Sequence, residues 1–323
     1  MRRDVQLSKR SAYAAGTRSN LKTQWRAYFL FALHFGLQPL PASLDNLCLF
    51  AQFLSRSLKA IQSIRAYLSA VRTLHLFLDI PCEFSKQFVL NLTLRGIARL
   101  HPHTPNQKLP ISPDILLQLF GVLDMRTQLD LTLWTSFLFA FFLCARKSNI
   151  IVPSLAKFDP QKHLCRSDVT LTPLGLNVLI RWSKTIQAGE RFLIIPLLPI
   201  PNSPLCPVKA YRTMLRFIPA EESGPAFVYR TKSASPAPLT HAVFASRLAV
   251  ALGKIGLDPG LYSGHSFRRG GATWAFSSGF PVEAIKLLGD WRSDAFMLYI
   301  HLSYESRLSL AEKLRDSLAH YAN

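Results

Sequence analysis

Between Gly264 and His301 the sequence GHSFRRGGATWAFSSGFPVEAIKLLGDWRSDAFMLYIH gathers a histidine, arginines, a tryptophan and a tyrosine into one short region. His265 and Arg268 stand three residues apart, so a helix places them on one face. Their chemistry is complementary to an oxyanion. A guanidinium presents a planar fork of donors, an indole nitrogen can only donate, and an imidazole can donate or accept. A phenol adds a nucleophile able to form a covalent intermediate. Spacing alone does not single out the phenol. Phe296, Tyr299 and Ile300 follow the i, i+3, i+4 pattern of a core-facing stripe, which makes Tyr299 an ordinary half-buried tyrosine until its neighbours are counted.

The rest of the chain must position these groups, and its composition says what for. In 323 residues, 49% are hydrophobic and 18% charged, enough for two domains and a sizeable core. Lys and Arg outnumber Asp and Glu by 38 to 19, for a net charge of +19. A folded chain this basic points to a polyanion, most simply nucleic acid. An anionic membrane surface would draw one basic amphipathic segment, whereas Lys and Arg run here from Arg2 to Arg315. In this setting Gly270 and Gly271 gain a reason. Each costs a helix interior roughly 1 kcal/mol relative to Ala, so DNA or another backbone must need the space beside them. The five cysteines, Cys48, Cys82, Cys144, Cys165 and Cys206, have no CxxC spacing, so neither a zinc site nor a disulfide framework is expected. No apolar segment follows the basic N-terminus as a secretory signal requires, and the apolar run Leu131–Ala145 is too short for a bilayer and reads as a buried helix.

Taken in order, residues 1–10 are expected to be a flexible N-terminus. Helices are expected over 11–35, 43–58, 61–78 and 84–100, making a helical N-terminal domain of residues 11–101. Arg18, Lys22 and Arg26 recur on one face of the first helix, and Arg65 and Arg72 lie on the third, a set of candidate DNA contacts. Four prolines in HPHTPNQKLPISP (101–113) mark residues 102–112 as a linker, and His101 and His103 in this stretch have no further metal ligands nearby. The second domain, 113–323, opens with a Ser112 cap and continues into an apolar helix, 128–145. Arg146 ends that helix, and an arginine there either emerges into solvent or points into a phosphate site. NVLIRW (177–182) and FLIIPLL (192–198) flank the polar turn SKTIQAGER and predict a β-hairpin with Lys184 in the turn and Arg191 at its far end. Helices follow at 207–217 and 239–255, and a tail helix at 304–319. The fold class is mainly α with a small antiparallel sheet.

The ordered set His265-x-x-Arg268, Leu288-Gly289-x-Trp291 and Tyr299-Ile300-His301 resembles the C-terminal signature of the tyrosine recombinases, the phage-integrase family. The Trp-to-Tyr interval is one residue shorter than in the bacterial and phage enzymes. The wording HSFRRGGAT…LGDWRSDAFMLYIH is closer to recombinases of eukaryotic mobile elements of the DIRS and Crypton kinds. The resemblance implies a helical core-binding domain that clamps DNA and an α+β catalytic domain. It matches Arg146 to the family's first catalytic arginine, and Lys184 to its hairpin lysine. Asn149 departs from the pattern, because the family carries an acid three residues after that arginine.

The implied chemistry is cleavage and rejoining of DNA strands. Arg146 and Arg268 bracket the phosphate, His265 and Trp291 donate to it, Lys184 is the general acid and Tyr299 the nucleophile of a 3′-phosphotyrosyl link. That link conserves bond energy, so no ATP is needed, and with no P-loop or carboxylate cluster in the sequence, neither metal nor cofactor is expected. The implied partners are double-stranded DNA and further copies of the chain, a dimer or tetramer assembled on DNA through the tail helix. Transposition or excision of a mobile element is the implied task, in the nucleus of a eukaryote or the cytoplasm or nucleoid of a bacterium. The rival readings are a recombinase-derived DNA-binding protein that no longer cuts, and a type IB topoisomerase.

Overall fold

The computed structural model describes residues 1–81, 87–104, 106–186, 190–231, 236–300 and 304–319. The chain divides into two compact units, Met1–Asn106 and Gln107–Asn323.

The first unit is helical throughout: α1 (Arg2–Ser11), α2 (Ala15–His34), α3 (Leu44–Ser55), α4 (Ile61–Phe77) and α5 (Phe88–Leu100). The N-terminus expected to be flexible is thus drawn as a helix, and its described side chains are all exposed. Residues 84–86, with which the fourth expected helix begins, lie outside the described residues. Ser43 caps α3 by accepting from the Asn46 amide at 3.0 Å, as its place before Leu44-Asp45 predicts. The core is built from Tyr28 and Phe31 of α2, Leu47 and Phe50 of α3, Ile64 and Val71 of α4, and Leu94 and Ile97 of α5. The apolar side read from the sequence of the first expected helix, Tyr13, Leu21, Trp25, Tyr28, Phe29 and Leu33, is only partly the buried one. Tyr28, Phe31 and Ala32 are buried, while Leu33 is 79% exposed. Two polar groups lock the packing: Trp25 Nε1 donates to the Ala70 carbonyl at 2.7 Å and Tyr28 Oη to the Pro39 carbonyl at 3.0 Å.

The second unit begins inside the segment read as a linker. The Leu109 amide donates to the Leu261 carbonyl at 2.8 Å, the Ile111 amide donates to the Ser266 carbonyl at 2.9 Å, and Ile111 is fully buried. Then come α6 (Pro113–Val122), α7 (Gln128–Phe142) and the short α8 (Lys147–Ile150). Helix α7 is the axle of this unit. Leu133, Trp134, Phe137, Leu138 and Phe139 are all buried, because α9, α11 and β4 pack around it. Strands β1 (Val169–Thr172), β2 (Gly175–Ile180) and β3 (Leu193–Leu197) form an antiparallel sheet in the order β1-β2-β3, with Ile180 opposite Leu193. Helix α9 (Pro207–Phe217) precedes a second, two-stranded sheet of β4 (Val228–Arg230) and β5 (Pro236–Pro238). Next are α10 (His241–Lys254), α11 (Gly264–Ser277), α12 (Val282–Leu288), a 3₁₀ turn at Asp294–Leu298 and α13 (Tyr304–Ala319). No helix among the described residues is long and apolar enough to cross a membrane, and no group of metal ligands forms among them.

Gly270 and Gly271 find their neighbour within the fold. A Cβ on Gly270 would stand 1.8 Å from the Ile111 carbonyl oxygen, and one on Gly271 would stand 2.2 Å from that of Phe141. The space is filled by backbone rather than kept for DNA, and it lets α11 lie directly against the end of α7. Gly253, near the end of α10, has nothing within 4 Å of its Cβ position. Gly270→Ala is therefore expected to lower stability by about 1–3 kcal/mol, the cost of overpacking, while Gly253→Ala raises it by roughly 0.5 kcal/mol. Urea unfolding of the two variants beside the parent chain checks both signs.

Candidate active site

Helix α7 ends three residues earlier than its apolar run suggests. Cys144 adopts a left-handed backbone, φ 44°, which turns the chain out of the helix. Arg146 then caps α8 in extended conformation, half-buried at the mouth of a cleft. That cleft is lined by Arg146, Asn149, Ser183, Arg268, Gly289 and Asp290. Asn149 has a physical reason to replace the acid of the resemblance. Its Nδ2 donates to the Trp182 carbonyl at 2.9 Å, tying α8 to the end of β2, and a carboxylate could not donate that bond.

Helix α11 delivers the next group. Ser263 and Ser266 form a reciprocal cap that starts this helix, and Arg268 follows one turn later. Arg268 is only 1% exposed. Its Nη1 donates to the Cys144 carbonyl, and its guanidinium carbon stands 3.6 Å from the centre of the Trp291 ring and 5.3 Å from that of Tyr299. Nε and Nη2 are buried without a well-formed hydrogen bond, and so is Nε1 of Trp291. Burial first, and repulsion from Arg146 second, push the Arg268 guanidinium downward, while attraction to Tyr299 works against them. His265 lies on the exposed side of the same helix. Burial of its ring, then the charges of Arg268, Arg146 and Lys147, push it down, which keeps the imidazole neutral at pH 7.

The third part is the segment after α12. Gly289 leaves room for the Trp291 ring, since a Cβ there would stand 1.7 Å from it. Trp291 is 8% exposed and packs on Phe296 and on Tyr299, whose ring centre is 5.5 Å away. Tyr299 follows the 3₁₀ turn, where its amide donates to the Phe296 carbonyl at 2.7 Å. The stripe seen in the sequence is thus carried by a 3₁₀ turn in which Phe296 is fully buried and Tyr299 half-exposed. Arg269, adjacent to Arg268, braces this turn: its Nη1 donates to the Leu298 carbonyl at 2.7 Å.

Lys184 is exposed at the tip of a tight turn closed by paired hydrogen bonds between Ser183 and Ile186, both 3.1 Å. This turn is anchored to the third part through Asp290. Ser183 Oγ donates to Asp290 Oδ2 at 2.6 Å, Thr185 Oγ1 donates to the same oxygen, and Arg191 Nη2 pairs with Oδ1. Burial raises the Asp290 carboxyl, but these hydrogen bonds and the Arg191 charge outweigh it and hold the group below the ordinary carboxylate range. Sequence reasoning passed over Asp290. Its partners lie about a hundred residues upstream, and no local spacing announces them.

The second unit thus brings Arg146, Arg268, His265, Trp291 and Tyr299 together, with Lys184 on a turn fastened to the same segment. The five candidate DNA contacts lie in the first unit. Arg18, Lys22 and Arg26 are exposed on α2, and Arg65 and Arg72 are exposed on α4, where they line a cleft with Asn91 of α5.

No family model matches the chain. The chain is similar to an integrase/recombinase XerD homolog of Selenomonas ruminantium, 24% identical over 257 residues that make up 78% of this chain and 71% of the relative. Its fold is that of the tyrosine recombinases, mainly helical with small antiparallel sheets. Among solved structures it superposes on the XerH site-specific recombinase bound to palindromic difH substrate, a post-cleavage complex, at TM-score 0.60 and 16% identity, over 90% of this chain and 79% of that one. The Tn1549 transposon integrase in complex with transposon right end DNA gives TM-score 0.59 at 14% identity, over 97% and 98% of the two chains. A lambda integrase dimer bound to a COC′ core site gives 0.58 at 15% identity, over 93% of each.

The depressed His265 has a consequence for pH. The unfolded imidazole takes up a proton near pH ~6.5, the folded one only at lower pH, so acidification below that value favours the unfolded chain. His163 and His241 are also pushed down, by burial first, and share the effect. The denaturant midpoint is expected to fall between pH 7.5 and 5.5, and to fall less in His265→Gln. An equal fall in both chains would contradict the downward shift of this ring.

Proposed function

We propose that the chain is a tyrosine recombinase, a site-specific DNA recombinase or integrase that cuts and rejoins strands through a 3′-phosphotyrosyl intermediate. The observation that carries this reading is the buried Arg268 guanidinium, with two nitrogens that lack a well-formed hydrogen bond, packed on a tryptophan whose own donor lacks one and beside a half-exposed tyrosine. Buried donors are almost always satisfied, so unused ones gathered at a cleft call for a ligand rich in acceptors. A phosphodiester supplies one, and the net charge of +19 favours its polymer.

The roles follow from the groups. Arg268 and Arg146 hold the non-bridging oxygens, where negative charge grows as phosphorus becomes five-coordinate. Trp291 Nε1 and the neutral His265 donate to the same oxygens. Tyr299 Oη loses its proton to solvent and bonds to phosphorus, the P–O5′ bond breaks, and Lys184 gives a proton to the departing 5′ oxygen. The reverse sequence rejoins the strand. One phosphoester replaces another, so no nucleotide hydrolysis is required, and the cations supply the charge that the transition state needs.

The named neighbours support a partner. XerH is described bound to its difH substrate, the Tn1549 integrase in complex with transposon right end DNA, and lambda integrase as a dimer bound to a core site. On this reading the partner of the present chain is double-stranded DNA, with Arg18, Lys22, Arg26, Arg65 and Arg72 on its backbone. The chain works as an oligomer, joined through α13, on which Leu314 and Leu318 are 62% and 60% exposed. Integration or excision of a mobile element is the task that fits, and the motif wording points to an element of the DIRS or Crypton kind acting in a nucleus.

The test uses the full chain and labelled duplexes selected from a random pool by binding to it, then nicked so that the cleaved end diffuses away. Incubated with EDTA and run on a denaturing gel, the parent chain is expected to give a slow-migrating DNA adduct and Tyr299→Phe none. Arg268→Ala should lower the rate of adduct formation by roughly 10²-fold or more. An adduct formed equally by Tyr299→Phe would overturn the assignment. Binding without any adduct would favour the reading in which the chain no longer cuts.

A further inference from the structure

The clasp between the Lys184 turn and the Trp291–Tyr299 segment is more than a buried ion pair. Asp290 is 8% exposed and sits between Gly289 and Trp291 in a left-handed backbone, φ 53°. That conformation turns its carboxylate away from the line of α12, and each oxygen has its own partners on the hairpin. One receives the hydroxyls of Ser183 and Thr185, the residues on either side of Lys184; the other receives Arg191, just before β3. A second strut runs alongside. Arg292 Nη2 donates to the Thr185 carbonyl at 2.5 Å and to Glu190 at 2.9 Å. Asp290 also lines the cleft that holds Arg146 and Arg268.

We propose that Asp290 is a positioning residue which fixes Lys184 over the scissile bond by bonding the residues on both sides of it. This rests on the reading of Lys184 as the general acid. An exposed lysine on a two-residue turn has many rotamers and a hinged base, and a proton donor loses its effect when displaced by an ångström. Asp290 removes the freedom of that base. Because it belongs to the same peptide segment as Trp291, it also registers the lysine to the phosphate donors. Arg191, which follows the turn, is thereby committed to the clasp.

The experiment separates this role from a merely structural one by changing the leaving group. In a duplex with sulfur in place of the bridging 5′ oxygen, the departing thiolate needs no proton, so a loss confined to proton donation disappears. Asp290→Asn is the suitable variant. Asparagine tolerates the left-handed backbone and removes the charge and one acceptor. Single-turnover adduct formation is measured for the full chain, Lys184→Ala and Asp290→Asn on the selected duplex, with oxygen and with sulfur. On oxygen both variants are expected to be slower by roughly 10²-fold or more; on sulfur both should return to within a few-fold of the parent.

The double variant Ser183→Ala/Thr185→Val removes the same contacts from the hairpin side without touching the Asp290 backbone. It is expected to behave in the same way, and it decides the matter if Asp290→Asn fails to fold. Asp290→Asn slow on both substrates while Lys184→Ala is rescued would overturn the proposal and leave the general acid standing. Asp290→Asn as fast as the parent on oxygen would overturn it as well. Lys184→Ala fast on oxygen would overturn both assignments.

Discussion

The candidate site in the second unit is built around one buried positive charge, that of Arg268. Arg268 lies on an interior helix face without a carboxylate partner among the described residues, and only one of its nitrogens is well bonded. Burying a charge in this way costs several kcal/mol. The Trp291 ring at 3.6 Å returns about 2 kcal/mol of this. The remaining deficit falls on the fold, and the surrounding sequence serves to hold the charge in place. Gly270 and Gly271 let α11 touch the Ile111 and Phe141 carbonyls, Cys144 turns its own carbonyl to Nη1, and Gly289 makes room for the indole. A fold that keeps a charge at this cost is prepared for an anion that it does not itself contain.

Electrostatics around that charge are arranged as two separate systems. Arg146 and Arg268 repel one another at the cleft and disfavour a proton on His265, and no carboxylate among the described residues neutralises the two arginines. The acid of the neighbourhood, Asp290, is turned instead to Arg191 and two hydroxyls, where it holds structure together. Elsewhere in this unit acids are paired in the same way, Asp168 with Arg181 and Asp130 with Arg247. The site is thus left cationic while the scaffold around it is neutralised.

Much of this was legible in the sequence because local rules governed it. The caps at Ser43 and Ser112, the proline-led helix 207–217 and the antiparallel hairpin all follow from spacing and residue type. The ordered set of His265, Arg268, Trp291 and Tyr299 announces a site by residue type and order alone. What stayed hidden depends on contacts distant in sequence. The glycine pair at 270–271 signals a close neighbour, but which neighbour is settled only by Ile111 and Phe141. The end of α7 moves from 145 to 142 because Cys144 takes a conformation that its residue type does not advertise. Asp290 gives no signal, since its partners precede it by some hundred residues.

The central claim is that Arg268 is kept charged and buried for a phosphate rather than for the fold. The most direct test compares thermal unfolding of the parent chain and Arg268→Met, each with and without the selected duplex. If the claim holds, the methionine chain melts higher than the parent when alone, because an apolar side chain suits that environment better. The duplex then raises the parent's transition by more than the variant's. A methionine chain that melts lower when alone, and gains as much from DNA as the parent, would show that the guanidinium serves the fold and would contradict the account.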